Sequence, residues 1–385
     1  MTFQKNKIVS LYKKTKRPFY LYDLRGMRSR CREFRNAIKL DNVNIHYAMK
    51  ANANNKVLQT ILRSGFGVDV VSGGELHRAL SVGFKPKQII FSGVGKTENE
   101  ITLALQRNIK QINVESVEEL VRIATVAKKL RKRVEVGVRV NPNISAKTHP
   151  YITTGFHKNK FGVDLDSIRE IEKVFSENFD SIKFVGVSMH IGSQIHDLKV
   201  FNDAIKKGLA LIDKLKKNGW LISRFDIGGG LGIDYRKESS DDKKNIKRYG
   251  ALVTKLFKNV SSDLEVQLEP GRILVARFGV LVSQVQYIKK NKSRTFAILD
   301  TGSHHLIRPA LYDAYHRIIP LAKRPKSFTY QVVGPLCESS DFLANDRKIS
   351  ELKQGDIVVI SDTGAYGYSM ASTYNLHELP TEYTV

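Results

Sequence analysis

The chain has 385 residues, of which 42% are hydrophobic, which is enough for one large domain and a smaller second one. Its two cysteines, Cys31 and Cys337, exclude a disulfide framework, and no apolar run has the character of a signal peptide or the length of a membrane-spanning helix. We therefore expect a cytoplasmic protein with no membrane partner.

The formal net charge of +25 raises the question of nucleic-acid binding. The basic residues are scattered along the chain in pairs and short clusters, and no zinc-ligand or RNA-recognition pattern accompanies them. We interpret the charge as a solvated basic surface that attracts anionic small molecules, and we expect no nucleic-acid partner.

Strand-like runs alternate with amphipathic helical stretches from Val43 to Leu268. The predicted strands are Val43–Tyr47, Val68–Val71, Ile89–Phe91, Gln111–Val114, Val134–Val140, Phe184–His190, Ser223–Ile227 and Leu264–Leu268. The predicted helices are Lys56–Arg63, Gly74–Ser81, Thr97–Arg107, Ser116–Lys129, Asp166–Ser176, Val200–Lys217 and Lys247–Lys258. Ser116 and Glu119 have capping-box spacing. Eight such strand-then-helix units favour a closed (β/α)₈ barrel over an open doubly wound sheet, which shows the same alternation.

The pattern changes after Glu269, where strands separated by turn residues replace the alternation. The predicted strands of this part are Ile273–Lys289, Thr295–Leu299, Phe328–Val333 and Asp356–Ser361. They predict a separate antiparallel β domain, which a strand at Phe19–Leu24 could join. The expected domains are therefore a barrel over residues 25–271 and a β domain made of residues 1–24 and 272–385.

Polar residues follow the predicted barrel strands, at the end where barrel enzymes build their active sites. In chain order they are Lys50, Ser92, Glu115, Asn141, His190 with Ser193, Gly228–Gly230, and Glu269 with Arg272. Each also has an ordinary structural explanation, because lysines are abundant, a histidine that closes an apolar run is usually a core residue, and glycine triplets form turns. Their common position at the strand ends makes them candidates for one site.

Considered together, these residue types describe a site for pyridoxal phosphate. A lysine on a stiff strand end can act as a covalent catalyst, and Lys50 stands there. His190 can lie flat on an aromatic ring, and the backbone of Gly228–Gly230 can approach a phosphate. Glu269 can face a cationic ring nitrogen, and Arg272 can bind a substrate carboxylate.

Seven motifs in order resemble those of the fold-type III pyridoxal-phosphate-dependent decarboxylases, most closely the diaminopimelate decarboxylases. The motifs are YAMKAN (Tyr47–Asn52), HIGSQ (His190–Gln194), DIGGGLG (Asp226–Gly232), EPGR (Glu269–Arg272), RPALY (Arg308–Tyr312), CESSD (Cys337–Asp341) and DTGAYGYSM (Asp362–Met370). The resemblance covers nearly the whole chain. It implies a TIM-like (β/α)₈ barrel with a C-terminal antiparallel β domain, an architecture shared with alanine racemase.

The resemblance also implies a role for each motif residue. Lys50 is implied to hold pyridoxal 5′-phosphate covalently, with His190 on the ring face and Glu269 at the ring nitrogen. The other implied cofactor-binding residues are Ser193, Gly229, Gly230, Gly271, Arg272 and Tyr366. Substrate binding is implied for Arg272, Arg308, Tyr312, Glu338 and Tyr366, and catalysis for Lys50, His190 and Cys337. Cys337 and Glu338 are implied to reach the partner's active site in a homodimer.

The glutamate at the ring nitrogen favours decarboxylation. Loss of CO₂ leaves a carbanion that a protonated pyridine ring can stabilise, and Glu269 would keep that ring protonated. In barrel racemases of the same fold type an arginine takes this place, and less charge is drawn into the ring. Cys337 or Lys50 could then return a proton to the α-carbon.

The cations near the substrate favour a second carboxylate at its far end. Arg272, Arg308 and Tyr312 suit such a carboxylate, and Glu338 is available for the distal ammonium. An amine substrate such as ornithine would instead need an acidic partner for its far amino group. The predicted reaction is decarboxylation of meso-2,6-diaminopimelate to L-lysine, the last step of lysine biosynthesis.

Two departures from the family pattern keep alternatives open. Ser303-His304-His305 stands where the family has M-N-D, and Asn159 replaces a serine. These changes could indicate a sister decarboxylase that acts on a siderophore or antibiotic precursor or on a carrier-bound glutamyl group. A non-catalytic pyridoxal-phosphate-binding barrel is the alternative from another class. Adjacent histidines without a third spaced ligand predict no metal site.

Overall fold

A computed structural model describes residues 3–144, 160–237 and 239–385 of the chain. The chain divides into two compact units. The barrel unit comprises Cys31–Ile233 and Lys243–Gly271, and the sheet unit comprises Met1–Arg30, Asp234–Asp242 and Arg272–Val385. None of the helices in the described ranges combines the length and the apolar character needed to cross a lipid bilayer.

Strands and helices are numbered separately along the chain. The strands are β1 (Phe19–Tyr22), β2 (Val43–Ala48), β3 (Gly67–Val70), β4 (Ile89–Phe91), β5 (Gln111–Val114), β6 (Val134–Arg139), β7 (Ile182–Ser188), β8 (Arg224–Asp226), β9 (Glu265–Leu268), β10 (Gly279–Lys290), β11 (Thr295–Leu299), β12 (Ile318–Pro320), β13 (Ser327–Val333), β14 (Phe342–Ser350), β15 (Ile357–Ile360) and β16 (Thr381–Thr384). The helices are α1 (Lys5–Thr15), α2 (Leu24–Ala37), α3 (Asn55–Arg63), α4 (Gly73–Val82), α5 (Glu98–Gln106), α6 (Val117–Lys129), α7 (Ile168–Glu177), α8 (Leu198–Lys217), α9 (Ser239–Phe257), α10 (Arg272–Val275) and α11 (Arg308–Tyr312).

Strands β2 to β9 form a closed parallel barrel, in which each strand pairs with the next and β9 pairs with β2. The strands are buried along most of their length, because one face points into the barrel and the other packs against helices. The prediction of a closed (β/α)₈ barrel with a separate, mostly β-sheet domain is confirmed.

Polar caps set where the barrel helices begin. Thr97 and Glu100 cap α5 reciprocally, since each side chain accepts a hydrogen bond from the other's backbone N–H. At α6 only half of the predicted capping box forms: Ser116 Oγ accepts from the Glu119 N–H at 3.2 Å, but the Glu119 carboxylate accepts from the Glu115 N–H at 2.7 Å. Glu119 is therefore a buried ion-pair residue rather than a reciprocal cap.

The sheet unit contains an eight-stranded sheet with the main strand order β12-β15-β10-β11-β13-β14. Most pairs are antiparallel, and the β11–β13 and β1–β16 pairs are parallel. The predicted strand near Phe19 joins this sheet as β1, between β10 and β16. Helix α1 covers one face, where Ile8 and Tyr12 pack on Phe19, Val282 and Val359.

The predicted strand at Ile273–Lys289 is wrong in its first residues. Arg272–Val275 is a helical turn, a 3₁₀ turn follows, and β10 begins only at Gly279. Ile273–Val275 is uniformly apolar and buried, so these residues show neither a helical nor a strand period. Helices α1, α2, α10 and α11 and strands β12, β14 and β16 were not predicted.

Candidate active site

A cavity of about 310 Å³ opens in the barrel unit at the carboxyl ends of the strands. Its lining residues are Lys50, Val71, Ser92, Gly93, Val94, Arg139, Lys160, Phe161, Ser188, Met189, His190 and Glu269. Barrel enzymes hold their substrates at this end of the barrel. The predicted lysine, histidine and glutamate thus line one cavity.

Lys50 lies in the 3₁₀ turn Met49–Ala51, directly after β2. Its Nζ atom is 3.4 Å from Oδ2 of Asp69, a fully buried residue of β3, while 35% of the lysine side chain stays exposed. The parallel register of β2 and β3 sets Ala48 opposite Asp69, which brings the lysine and the carboxylate together. The ion pair holds the amine at the cavity wall and leaves it accessible.

Three buried carboxyl groups gather in this part of the barrel unit, those of Asp69, Asp226 and Glu269. Asp226 Oδ1 accepts a hydrogen bond from the Gly228 N–H at 2.8 Å, and Ser92 Oγ donates to Glu269 Oε1 at 3.5 Å. Burial, followed by the charges of Asp226 and Asp69, raises the pKa of Glu269 well above its usual value. Burial also raises the pKa of Asp226, to about 6. Glu269 is therefore the more basic carboxyl group of the Asp226–Glu269 pair.

His190 follows β7 with its ring against the glycine loop. Its Nδ1 accepts a hydrogen bond from the Gly229 N–H at 3.3 Å. Burial, and then the charges of Lys50 and Arg139, lowers the pKa of the imidazole well below its usual value. His190 is thus a neutral, fixed, flat ring at the cavity, as a residue that stacks on an aromatic group must be.

The glycines at the ends of β8 and β9 are required by close packing. A Cβ on Gly229 would come within 2.1 Å of the Glu269 carbonyl oxygen, and Gly230 has a φ of +105°. A Cβ on Gly271 would be 3.2 Å from the Cβ atoms of the two alanines that flank the Lys50 turn. Ser193 is partly buried in the loop after β7. Backbone amides on such a loop can approach an anion closely.

Sequence reasoning missed several residues of the cavity region, and three of them, Asp69, Asp226 and Arg139, are charged residues at the ends of strands. Arg139 Nη1 binds Glu115 Oε1 at 2.6 Å, and its guanidinium lies 4.8 Å from the centroid of the Phe161 ring. Each is the last or next-to-last residue of a strand, and a charged residue at the end of an apolar run is the signal that could have revealed it.

The charges of this region fit pyridoxal phosphate. The buried carboxyl groups of Asp69, Asp226 and Glu269 lie in this region, where Lys50 is paired with Asp69 and Arg139 with Glu115. A cationic ring nitrogen would offset the negative charge of these carboxylates, and that electrostatic attraction is stronger in a buried site than in water. The neutral His190 ring and the glycine loop match the ring and the phosphate.

A second group of predicted residues lies within the sheet unit, around Tyr235. Arg272 Nη1 donates a hydrogen bond to Tyr235 Oη at 2.9 Å, and the Arg308 guanidinium lies over the Tyr235 ring, 4.7 Å from its centroid. Arg272 also lies over the ring of Tyr366, at 4.7 Å. Arg308 Nη1 is 2.7 Å from Nε2 of the buried His316. Tyr235 and His316 were not predicted from the sequence.

The other predicted site residues of the sheet unit are Tyr366, Tyr312, Cys337 and Glu338. Tyr366 adopts a left-handed φ of +56°, a strained conformation that is common at functional sites. Burial lowers the pKa of Arg272, but Tyr235 and Tyr366, and then Tyr312, raise it overall. Cys337 is exposed, and Glu338 Oε1 accepts a hydrogen bond from the Tyr374 hydroxyl at 2.6 Å.

The residues that depart from the family pattern lie in different parts of the chain. His304 and His305 are buried in the sheet unit, with ring centroids 3.7 Å apart. His377 contacts His304, with ring centroids 4.6 Å apart and planes tilted by 37°. The described residues contain no group of three metal-binding side chains arranged to hold an ion. Asn159 lies outside the described residues.

Known proteins match this chain over most of its length. A family model described as the pyridoxal binding domain of the pyridoxal-dependent decarboxylases matches residues 24–276. The chain is 41% identical over 371 residues to diaminopimelate decarboxylase of Aquifex aeolicus, covering 96% of this chain and 86% of that protein. It is 40% identical over 368 residues to diaminopimelate decarboxylase of Bacteroides thetaiotaomicron, covering 95% of each.

A solved structure agrees with these relatives. The crystal structure of diaminopimelate decarboxylase from Helicobacter pylori complexed with L-lysine has a TM-score of 0.90 and 39% sequence identity. The match covers 98% of this chain and 93% of that chain. The resemblance inferred from the seven motifs is confirmed. The chain therefore belongs to the pyridoxal-dependent decarboxylase family, which also contains these diaminopimelate decarboxylases.

Proposed function

We propose that this protein catalyses the pyridoxal-phosphate-dependent decarboxylation of meso-2,6-diaminopimelate to L-lysine and CO₂, the last step of lysine biosynthesis, in the cytoplasm. The observation that carries the proposal is the single cavity lined by Lys50, His190 and Glu269. The relatives of this chain support the choice of substrate, because several at about 40% identity are diaminopimelate decarboxylases and one is complexed with L-lysine.

The residues of the barrel cavity suit each part of the cofactor. Lys50 offers the amine that would hold pyridoxal 5′-phosphate, and His190 offers the flat neutral ring. Ser193, Gly229, Gly230 and Gly271 would surround the phosphate, and Glu269 would face the ring nitrogen. When bound, the cofactor withdraws electrons from the reacting α-carbon, which makes the loss of CO₂ feasible.

The contacts of the side chains around the cavity indicate a functional role for each of them. Asp69 holds the Lys50 amine in place, so that Lys50 can deliver a proton to the α-carbon. Burial and then the charge of Asp226 raise the pKa of Glu269, which would make its carboxylate a stronger hydrogen-bond acceptor for a protonated ring nitrogen opposite it. Cys337, an exposed thiol, is the alternative proton donor.

The arginines of the sheet unit suit the carboxylate that the reaction leaves in place. Arg272 and Arg308 contact the same tyrosine, and the Nε atom of Arg308 is buried without a hydrogen-bond partner among the described residues. Two neighbouring guanidinium groups favour a carboxylate over an amine. Tyr312 and Tyr366 would add contacts to the same end, and Glu338 would bind the distal ammonium.

We also propose that the protein is a homodimer with shared active sites, in which the predicted β domain completes the site and forms the interface. Cys337 and Glu338 would serve the partner's site. The exposure of the apolar residues beside them supports this proposal, because Leu376 is 93% and Tyr374 48% exposed in the single chain.

The test is the substrate profile of the purified protein with added pyridoxal phosphate. CO₂ release and product are measured with meso-diaminopimelate, ornithine, lysine and arginine. We expect kcat/KM for meso-diaminopimelate to exceed the others by about a hundredfold or more, because a buried carboxylate site discriminates strongly against substrates that lack the group. Lack of turnover of meso-diaminopimelate would overturn the proposal.

Two other outcomes have a defined meaning. Turnover of a different carboxylated amino acid would favour a sister decarboxylase and would give Ser303-His304-His305 a role in substrate choice. Cofactor binding, seen as visible absorbance, without turnover of any amino acid would favour the non-catalytic barrel.

A further inference from the structure

Tyr235 contacts both arginines through different parts of one side chain. Its hydroxyl oxygen, in the plane of the ring, accepts the hydrogen bond from Arg272, and its ring face lies under the Arg308 guanidinium. His316 meets the same ring edge-on, with centroids 5.1 Å apart and planes at 68°. Tyr235, Arg272 and Arg308 are each less than 10% exposed. One buried phenol thus fixes the relative orientation of two cations.

Two guanidinium groups would otherwise repel each other. Arg272 and Arg308 both contact Tyr235, so the two cations lie near each other, and burial and then the Arg272 charge lower the pKa of Arg308. Burial raises the pKa of the Tyr235 hydroxyl, but the charges of both arginines outweigh that effect and lower the pKa overall. The phenol is therefore polarised by both cations and attracts each of them.

The segment that carries Tyr235 is tied down at both ends by one buried arginine. Arg277 Nη2 donates to the Asp234 carbonyl oxygen at 2.7 Å, and Arg277 Nε donates to Asp242 Oδ2 at 2.8 Å. The Asp242 and Arg277 side chains are 1% and 4% exposed, and Arg30 makes a further contact with Asp242 at 3.4 Å. The backbone segment that carries Tyr235 is thus held in place by buried contacts, as a positioning role requires.

We propose that Tyr235 is a positioning residue that holds Arg272 and Arg308 side by side as one carboxylate clamp, and that it thereby determines the preference for substrates with a far carboxylate. The proposal rests on the proposed function and adds to it a specificity-determining residue. A carboxylate can satisfy both guanidinium groups only if their spacing and planes are fixed in advance. Tyr235 supplies that fixed geometry.

Two ligands isolate the contribution of the clamp. Decarboxylation at the D-centre leaves the L-centre unchanged, so L-lysine keeps the far carboxylate. Cadaverine (pentane-1,5-diamine) has the same chain and amines but no carboxylate. The ratio of their dissociation constants therefore measures recognition of the carboxylate, and it does not depend on turnover.

The experiment compares Tyr235→Phe and Tyr235→Leu with the wild-type holoenzyme by titration calorimetry and steady-state kinetics. Tyr235→Phe removes the acceptor for Arg272 and keeps the ring under Arg308, so we expect the L-lysine preference to fall about tenfold. Tyr235→Leu removes both contacts, and we expect a fall of about a hundredfold. KM for meso-diaminopimelate should rise in parallel, with kcat changed less than about threefold.

Tyr315→Leu is the matched control. Tyr315 also lies between two arginines, with Arg236 at 4.3 Å and Arg347 at 4.1 Å from its ring centroid, but Arg236 is exposed and Arg347 only half-buried. We expect its ligand preference to match the wild type. Tm and the visible absorbance of the cofactor should stay unchanged in the Phe variant, which separates positioning from folding.

The proposal about Tyr235 is overturned if both variants keep the wild-type preference for L-lysine, or if kcat falls as much as kcat/KM. A wild-type protein with no preference for L-lysine over cadaverine also overturns it. If Tyr235→Leu does not fold, Tyr235→Phe alone tests the proposal: a tenfold loss of the preference for L-lysine supports it, and a wild-type preference overturns it. Lack of meso-diaminopimelate turnover would instead refute the proposed function, and the calorimetric ratio would still decide the role of Tyr235.

Discussion

Lys96 is a buried lysine at the mouth of the barrel that takes no part in the proposed chemistry. Its side chain is 1% exposed, and its Nζ donates to the Gly93 and Asn113 carbonyl oxygens, both at 2.7 Å, and to Glu119 Oε1 at 2.8 Å. Lys96→Met keeps the length of the side chain and removes the charge and all three hydrogen bonds. It leaves the Glu119 carboxylate buried beside the amide of Glu115.

The expected loss of stability against unfolding is large, because removing one partner of a buried ion pair leaves an uncompensated charge. Such substitutions cost about 3–5 kcal/mol. Lys129→Met is the control, since Lys129 and Glu98 form a pair at 3.6 Å with side chains 75% and 60% exposed. We expect that control to change the free energy of unfolding by less than about 1 kcal/mol.

The single tryptophan allows the barrel unit to be followed separately, which matters because a chain of two units need not unfold in one step. Trp220 donates its Nε1–H to Glu172 at 2.7 Å and packs against Phe175 and Phe184. Urea unfolding followed by Trp220 fluorescence therefore gives the stability of the barrel. If the free energy of unfolding of the Lys96→Met barrel stays within about 1 kcal/mol of the wild-type value, the reasoning is refuted.

Three other predictions concern the site, the assembly and the pH response. Lys50→Ala should abolish the visible absorbance of the reconstituted protein; a retained, borohydride-reducible chromophore would contradict the role of Lys50. Glu338→Ala should be inactive but folded, and mixing it with Lys50→Ala should restore part of the activity through hybrid dimers; no recovery would count against shared sites. Burial, and then the Lys110 charge, lowers the pKa of His46 to about 3, so the unfolded chain binds a proton that the folded chain does not between pH 6.5 and 3. Barrel stability should therefore fall as the pH drops below 6.5, by up to about 1.4 kcal/mol per pH unit from this group, and His46→Gln should show a shallower dependence in the Trp220 assay.

The sequence predicts the barrel well because its physical signals are local. All eight predicted barrel strands are present, since buried parallel strands are short apolar runs bounded by turn residues. Lys50, His190 and Glu269 stand directly after such runs, so their convergence at one end of the barrel follows from the topology alone. Strand position therefore predicted the centre of the candidate site.

The features that the sequence did not predict depend on tertiary context. Strand β14 contains Asn345, Asp346, Arg347 and Lys348, and Asp346 has a φ of +46°, so neither its composition nor its backbone follows the usual strand pattern. Tyr235 belongs to the sheet unit although the chain on both sides of Asp234–Asp242 belongs to the barrel unit. No periodicity within a short segment can indicate which distant residues it will contact.

The position of β1 in the sheet has a consequence for the order of folding during synthesis. Its first residue, Phe19, pairs with Val282 on one side and with Thr381 on the other. The ribosome makes β1 before the barrel and its partner strands only after the barrel, so β1 has no partner strand while the barrel is being translated. Closing such long loops is slow, and an unpaired apolar strand can meet the same strand of another nascent chain. We expect the barrel to form first and the sheet to assemble last, with β1 and β16 joining it together.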